Sequence, residues 1–156
     1  MKYLEIFLFS LVLILAGCGG NDDLPAEITQ CIETYAPENG YGFEPISFQG
    51  TTDIGYPVPT PEEARARCEA DGGEDCDASE FITSAAAKCI GQSEGLDANG
   101  EPLQVELRYD ESLKTVVWIV SNFPILDENQ QGTALTLYIE AASGRILDKK
   151  ESPVIA

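Results

Sequence analysis

Histidine is missing from all 156 residues of the sequence. It is the commonest general base near neutral pH and the commonest imidazole metal ligand, so most familiar hydrolytic mechanisms lose a member. Basic residues are scarce too, with nine lysines and arginines against 27 aspartates and glutamates and a net charge of −18. Phosphate backbones and anionic lipid surfaces repel such a chain. We therefore expect a non-enzyme with no catalytic residues, no metal or other cofactor, and no nucleic-acid partner.

The apolar run near the start of the chain is too short to span a membrane. It extends from Ile6 to Ala16, is interrupted by Ser10, and follows the positive start Met1-Lys2. A transmembrane helix needs about 20 apolar residues, so this run fits a signal peptide instead.

The four residues Leu15-Ala16-Gly17-Cys18 that end this run resemble the lipobox of bacterial lipoprotein signal peptides. The resemblance implies that residues 1–17 are a removed leader and that Cys18 becomes the first mature residue. Cys18 would then carry acyl chains such as palmitate, and more than one chain is needed for stable anchoring. The alternative is an ordinary secretory signal that a cysteine follows by chance.

A lipid anchor at Cys18 predicts a location in the cell envelope. Gly19 in place of aspartate implies the outer membrane, facing the periplasm or the surface, if the cell is Gram-negative. Residues 18–30 are small, polar and acidic, and we expect them to form a flexible tether.

Residues 31–80 are predicted to be an irregular acidic extension with one short helix. Turn-forming residues are frequent here, as in Asn39-Gly40 and Tyr56-Pro57. A capping box is expected to start the helix at Thr60-Pro61-Glu62-Glu63, and Asp71-Gly72-Gly73 ends it. Of the 27 acidic residues, 15 lie between residues 18 and 80, together with two of the nine basic ones.

Four cysteines remain once Cys18 is set aside, and an even number in an exported chain predicts two disulfides. They are Cys31, Cys68, Cys76 and Cys89. Three pairings are possible, and the sequence does not choose among them. Buried free thiols are one alternative. A four-cysteine zinc site is another, disfavoured because the chain has no Cys-x-x-Cys pair.

Two acidic stretches are candidate calcium sites. Asp71, Glu74, Asp75 and Asp77 form the tightest cluster, and Asp97-Ala98-Asn99-Gly100-Glu101 superficially resembles the start of an EF-hand loop. The second fails the pattern because its glycine stands at the fourth position instead of the sixth. We expect both to be solvated loops.

Residues 81–150 carry the regular patterning. A helix is expected from the cap Thr83 to Gly95, with Ala86, Cys89 and Ile90 on one face. Strands follow, with alternation from Leu103 to Asp110, an apolar central strand from Thr115 to Ser121, a third strand around Leu135, Leu137 and Ile139, and a short fourth strand from Arg145 to Lys149. The sequence therefore predicts an α+β fold, in which one helix packs on a three- to four-stranded antiparallel meander after an irregular disulfide-braced extension.

This order of residues resembles the PepSY domain, a small module of metallopeptidase propeptides and bacterial envelope proteins. The resemblance lies in the alanine-rich helix ending at Gly95, the Val105–Asp110 strand, the Trp118-x-Val120 strand, and the Ile139–Leu147 ending. The family's ending has an aspartate and a threonine before the glycine, where this chain has Glu140 and Ser143. None of these positions is catalytic in the family.

The pattern Gly91-Gln92-Ser93-Glu94-Gly95 spells G-x-S-x-G but does not predict an esterase. A nucleophile elbow needs a strand, a sharp turn and a helix, together with a histidine. Ser93 instead falls near the end of a predicted helix.

Two functions are consistent with these features. In the first, a lipid-anchored, PepSY-like binding module contacts another envelope protein and, as the resemblance implies, modulates a peptidase. In the second, an acidic envelope lipoprotein is structural or buffers divalent cations. A binding module should present an apolar or aromatic patch rimmed by polar groups. The candidate patch is Tyr41, Phe43, Phe48 and Tyr56, unless these aromatics seat the extension on the open sheet face.

Overall fold

The computed structural model describes residues 24–42, 60–96, 103–122 and 126–155. Three α-helices come first, and a four-stranded sheet follows. The helices are α1 (Ala26–Thr34), α2 (Pro61–Ala70) and α3 (Ser84–Ser93), with short 3₁₀ turns at Pro37–Asn39 and Ala78–Glu80. The strands are β1 (Gln104–Asp110), β2 (Thr115–Ser121), β3 (Gln131–Glu140) and β4 (Ile146–Ile155). The predicted α+β class is confirmed.

The sheet is an antiparallel meander in the order β1-β2-β3-β4. The strand that is apolar on both faces, β2, lies between β1 and β3, as its composition predicts. Trp118 pairs in register with Leu107 on one side and Ile139 on the other, and all three side chains are buried. The indole Nε1 of Trp118 donates a hydrogen bond of 3.0 Å to the Ile82 carbonyl, which ties the sheet to the segment before α3.

The fourth strand is longer than predicted. It covers ten residues instead of the five expected from Arg145 to Lys149, and β3 also begins earlier, at Gln131. Proline is disfavoured within a sheet, but Pro153 stands on β4, which is an edge strand, where a missing N–H costs no ladder bond. The predicted turn between β3 and β4 is confirmed, and Gly144 adopts a left-handed φ of 78° there.

Helix α3 begins and ends where its sequence signals predict. The Thr83 hydroxyl accepts from the Ala86 N–H at 3.1 Å, and Gly95 follows the helix with a φ of 92°. Gly91, which weakens an isolated helix, has a packing reason: a Cβ there would lie 2.9 Å from Val120 Cγ1. The helix therefore approaches β2 closely because it lacks a side chain at that point.

The predicted capping box of α2 is confirmed. Thr60 Oγ1 accepts from the Glu63 N–H at 3.2 Å, and the Glu63 carboxylate accepts from the Thr60 N–H at 2.9 Å. The fully buried side chains Ala64 and Cys68 face the core.

Helix α1 was not predicted, and its residues 26–30 differ from the flexible tether expected over residues 18–30. Its apolar side chains are sparse, but Ile28 and Cys31 lie three residues apart and are both buried. Tertiary packing against α3 stabilises a helix that local propensity alone does not indicate.

The two disulfides are Cys31–Cys89 and Cys68–Cys76. The first joins α1 to α3 across a separation of 58 residues, and the second closes a loop of eight residues after α2. The free-thiol and zinc alternatives for these four cysteines are therefore wrong. Cys68 is completely buried, whereas Cys89 is half-buried.

Candidate functional site

The sheet has two unlike faces. Side chains of Val105, Leu107, Val116, Trp118, Val120, Leu137 and Ile139 join residues of the helices in one buried cluster. Strand alternation directs the intervening side chains to the opposite side. We call that side the open face and define it by Glu106, Arg108, Val117, Ile119, Tyr138, Glu140, Asp148 and Lys150. Within the described residues, the helices contact the sheet through the other face.

The centre of the open face is a row that crosses all four strands. Ile119 pairs with Glu106 of β1 and with Tyr138 of β3, which in turn pairs with Asp148 of β4. All four side chains are half-buried. The row therefore places an isoleucine and a tyrosine side by side, with a carboxylate at each end.

The next row of the open face carries a charged residue on each side of a valine. Val117 lies between Arg108 and Glu140 in register and has no exposed area. Glu140 accepts from Arg145 Nη2 at 3.3 Å and from the Ser143 hydroxyl, so its mostly buried carboxylate is paired. The charged groups thus cover the valine and rim the exposed apolar centre.

Lys150 adds a cation to the same centre. Its ammonium lies 4.3 Å from the centroid of the Tyr138 ring and 3.3 Å from a carboxylate oxygen of Asp148. The hydrogen bond to Asp148 and the contact with Tyr138 raise the pKa of Lys150. The ammonium therefore stays charged throughout the physiological range and lies over the tyrosine ring.

A second polar cluster joins α2 to the β1–β2 hairpin. The Asp71 carboxylate accepts a hydrogen bond from Tyr109 Oη at 2.7 Å and another from Lys114 Nζ. The hydrogen bonds from Lys114 and Tyr109 lower the pKa of Asp71, and its carboxylate raises the pKa of Lys114. Burial, followed by the Asp71 hydrogen bond, raises the pKa of Tyr109.

Asp71 and Tyr109 also line a shallow cavity of about 310 Å³, together with Arg67, Ala70 and Glu111. Asp71 is engaged by its two neighbours, so the cluster serves first to fix the end of α2 on the hairpin. It carries no arrangement of nucleophile and base.

The acidic residues weighed as a calcium site do not converge. Asp71 faces the hairpin, and Asp77 accepts from the Ser79 backbone and hydroxyl at 2.9 and 2.8 Å. Over residues 24–42, 60–96, 103–122 and 126–155, no group of three or more acidic, cysteine or histidine side chains is placed to hold a metal ion. The stretch Asp97–Glu101 lies outside the described residues.

The predicted aromatic patch is described at one of its four positions. Tyr41 is 41% exposed and packs edge-on against Tyr35, with ring centroids 4.9 Å apart. Phe43, Phe48 and Tyr56 lie outside the described residues, as does the lipid-attachment candidate Cys18. Ser93 of the G-x-S-x-G pattern donates to the Ile90 carbonyl at 2.8 Å on helix α3.

Sequence reasoning did not single out the open face. The signal was present in part, because the alternation from Leu103 to Asp110 puts Glu106 and Arg108 on the polar face of β1. What was missing was the register of four strands, which alone brings Ile119, Tyr138 and Asp148 into one row.

No helix among the described residues has the length and apolar character needed to cross a bilayer. Comparisons with protein-family models, curated proteins and solved structures found no match.

Proposed function

We propose that this protein is a lipid-anchored, non-catalytic binding module of the bacterial cell envelope. Its open face contacts another envelope protein. The observation that carries the proposal is the half-buried pair Ile119 and Tyr138, which is flanked by charged groups on the sheet side that the described helices do not cover. An apolar centre with a polar rim is typical of protein interfaces, in which tyrosine is enriched.

Three features of the sequence support the rest of the proposal. The lipobox ending in Cys18 supports export and attachment to a membrane, with the outer membrane favoured by Gly19. The absence of histidine supports a role without catalysis. The order of one helix and an antiparallel meander supports the PepSY resemblance, which makes a secreted peptidase the partner of first choice.

The test is recovery of a partner from native membranes with the full chain as bait. Ile119→Lys places a charge at the centre of the open face and should abolish the saturable recovery of one specific envelope protein. Leu113→Lys is the matched control, because Leu113 is 41% exposed in the β1–β2 turn, away from the open face. Tyr138→Lys gives an independent second substitution in the same row.

The fluorescence of Trp118, which is buried and hydrogen-bonded to the Ile82 carbonyl, reports whether each variant is folded. Partner loss in both open-face variants but not in the turn variant supports the proposal. Equal recovery by all of the folded variants, or no recovery above background by the unmodified chain, contradicts it.

The second candidate is a structural or cation-buffering lipoprotein. The concentration of acidic residues between residues 18 and 80 favours it. Calorimetric titration of the full chain with calcium distinguishes the two, because a buffering role requires a saturable heat at millimolar metal and the binding module requires none.

A further inference from the structure

Strand β1 is a free edge whose hydrogen-bonding groups can be assigned from one contact. The Val116 carbonyl accepts from the Ala141 N–H at 2.9 Å, so Val116 directs its backbone groups toward β3. Backbone direction alternates along an antiparallel strand, and Val117 and Ile119 therefore face β1. By the same alternation, the outward backbone groups of β1 belong to Val105, Leu107 and Tyr109.

The two edges of the sheet are protected unequally. Edge strand β4 carries Pro153, Lys149 and Lys150, and its pairing with β3 shifts register at Tyr138 and Ile139. Such features discourage a further strand from pairing. Strand β1 has seven residues in unbroken register and contains no proline and no lysine. Among the described residues, no hydrogen bond reaches its outward backbone groups.

The charges of β1 select one register for pairing with a second copy of itself. On the open face, β1 presents Gln104, Glu106, Arg108 and Asp110 in order. A twofold axis at Leu107 places Glu106 of each copy opposite Arg108 of the other. An axis at Glu106 opposes two glutamates, and an axis at Arg108 opposes two arginines and sets Glu106 against Asp110. Axes at Val105 or Tyr109 overlap only three residues of the seven-residue strand. Among the three central axes, the one at Leu107 is favoured, because like charges directly opposite each other destabilise a sheet.

We propose that two copies of this chain dimerise by antiparallel pairing of β1 with β1 about Leu107. The pairing joins the Leu107 backbone groups of both copies, matches Val105 with Tyr109, and forms one continuous eight-stranded sheet. Such an interface is isologous, with the same surface contributed by both subunits. Edge-to-edge strand addition is an established mode of protein association.

Glu106 and Arg108 are available to form ion pairs between the two copies. Arg108 Nη2 lies 3.8 Å from Asp110, which is a long ion pair, and its side chain is 42% exposed. Among the described residues, Glu106 has no ion pair. Two Glu106–Arg108 pairs between subunits therefore form without breaking a strong contact within either subunit.

A charge-swap experiment tests the dimer. The full chain is purified in excess detergent micelles, and its mass is measured by density-matched sedimentation equilibrium over a range of concentrations. In the dimer of Glu106→Arg, an arginine at position 106 of each copy faces Arg108 of the other. In the dimer of Arg108→Glu, a glutamate at position 108 of each copy faces Glu106 of the other. Each single variant should raise the dimer dissociation constant about tenfold or more, because two attractive cross-strand pairs become repulsive.

Two further samples restore opposite charges across the interface and test whether the effect depends on this pairing. The double variant Glu106→Arg/Arg108→Glu reverses both charges and should dimerise like the unmodified chain. An equimolar mixture of the two single variants should form a heterodimer, since arginines of one copy then face glutamates of the other. Trp118 emission serves as the folding control for every variant.

Monomeric mass of the unmodified chain at all concentrations overturns the proposal. Undiminished dimerisation of both folded single variants, or a failure of the mixture to form heterodimers, overturns it too. Glu106 and Arg108 also belong to the open face, so the dimer is measured with the purified chain alone and no partner present. The partner recovery instead uses substitutions of Ile119 and Tyr138, which lie outside the β1 edge, and the two experiments can therefore fail independently.

Discussion

The two disulfides should contribute unequally to stability, and the difference follows from their loop lengths. Cys31–Cys89 closes a separation of 58 residues and Cys68–Cys76 one of eight. A cross-link stabilises mainly by lowering the conformational entropy of the unfolded chain, and the effect grows with the logarithm of the loop length. Taken singly, the long loop gives about 4 kcal/mol at 25 °C and the short loop about 2.5 kcal/mol.

The comparison is made between two double variants, Cys31→Ala/Cys89→Ala and Cys68→Ala/Cys76→Ala. Each pair contains one buried and one half-buried cysteine, so the packing losses on truncation are similar and largely cancel. We expect the first variant to lose about 1.5 kcal/mol more unfolding free energy than the second. Urea unfolding followed by the emission of the single tryptophan, Trp118, measures both losses.

An equal or larger loss from the short loop would refute the reasoning. It would mean that the loss of local packing around Cys68 and Gly73, which lie next to the β1–β2 hairpin, outweighs the entropy of the long loop. The urea dependence of the unfolding free energy should increase more in the first variant than in the second, because the unfolded chain released from the longer loop exposes more surface.

Three further predictions concern single side chains. Gly91→Ala should destabilise the protein by about 1 kcal/mol in urea unfolding, because crowding against Val120 outweighs the gain in helix propensity. Thr83→Ala should cost about 2–3 kcal/mol in the same assay, since the buried hydroxyl caps α3 and also donates to the Tyr35 carbonyl at the end of α1 at 2.7 Å. Asp71→Asn should flatten the acid side of the stability profile. The lowered pKa of Asp71 means that its contribution is complete above the unfolded value of about 3.9 and is lost as pH falls through the folded value.

Each of these predictions has a matched control. Adding Val120→Ala to Gly91→Ala removes the crowded methyl group, and the two changes should therefore be non-additive. Thr83→Ser keeps both hydrogen bonds and should retain most of the stability. For Asp71, unfolding is measured from about pH 6 down to pH 2, and acid slopes that match in variant and parent would contradict the ion-pair argument.

The sheet could be predicted because its residues carry their own periodicity. Alternation from Leu103 to Tyr109 and the doubly apolar run around Trp118 determine which strand is half-buried and which is central. The end of β4 could not be predicted in this way. Pro153 disrupts a strand in general but is tolerated at an edge, and edge position depends on the sheet as a whole.

The disulfide pairing and α1 share one reason for being missed. Four cysteines allow three pairings, and only the packing of α1 on α3 brings Cys31 next to Cys89. The face of α1 that packs combines the buried Ile28 and Cys31 with the partly buried Ile32 and Tyr35. Their spacing is helical but covers only about two turns, within a segment that is otherwise polar and acidic. Both the disulfide pairing and helix α1 therefore depend on tertiary contacts that the local sequence does not show.

The general form of the candidate site could be predicted from the sequence, but its position in the fold could not. An apolar centre with a charged rim was the expected form of a binding surface, and aromatic residues of the extension were the candidates. The row that the structure assembles instead takes one residue from each strand, among them Ile119 and Tyr138. No stretch of sequence shows these residues as neighbours, since strand register depends on the packing of the opposite face.

The proposed dimer is compatible with two lipid anchors in one membrane. Directly opposed residues of antiparallel strands project their side chains from the same face of the sheet. Pairing about Leu107 therefore places both helix layers on one side and both open faces on the other. Helix α1, which follows the proposed tether from Cys18, belongs to the helix layer and is bonded to α3 through Cys31. The proposed tethers of both copies would then begin on the helix side, and the two rows centred on Ile119 and Tyr138 would point together toward a partner.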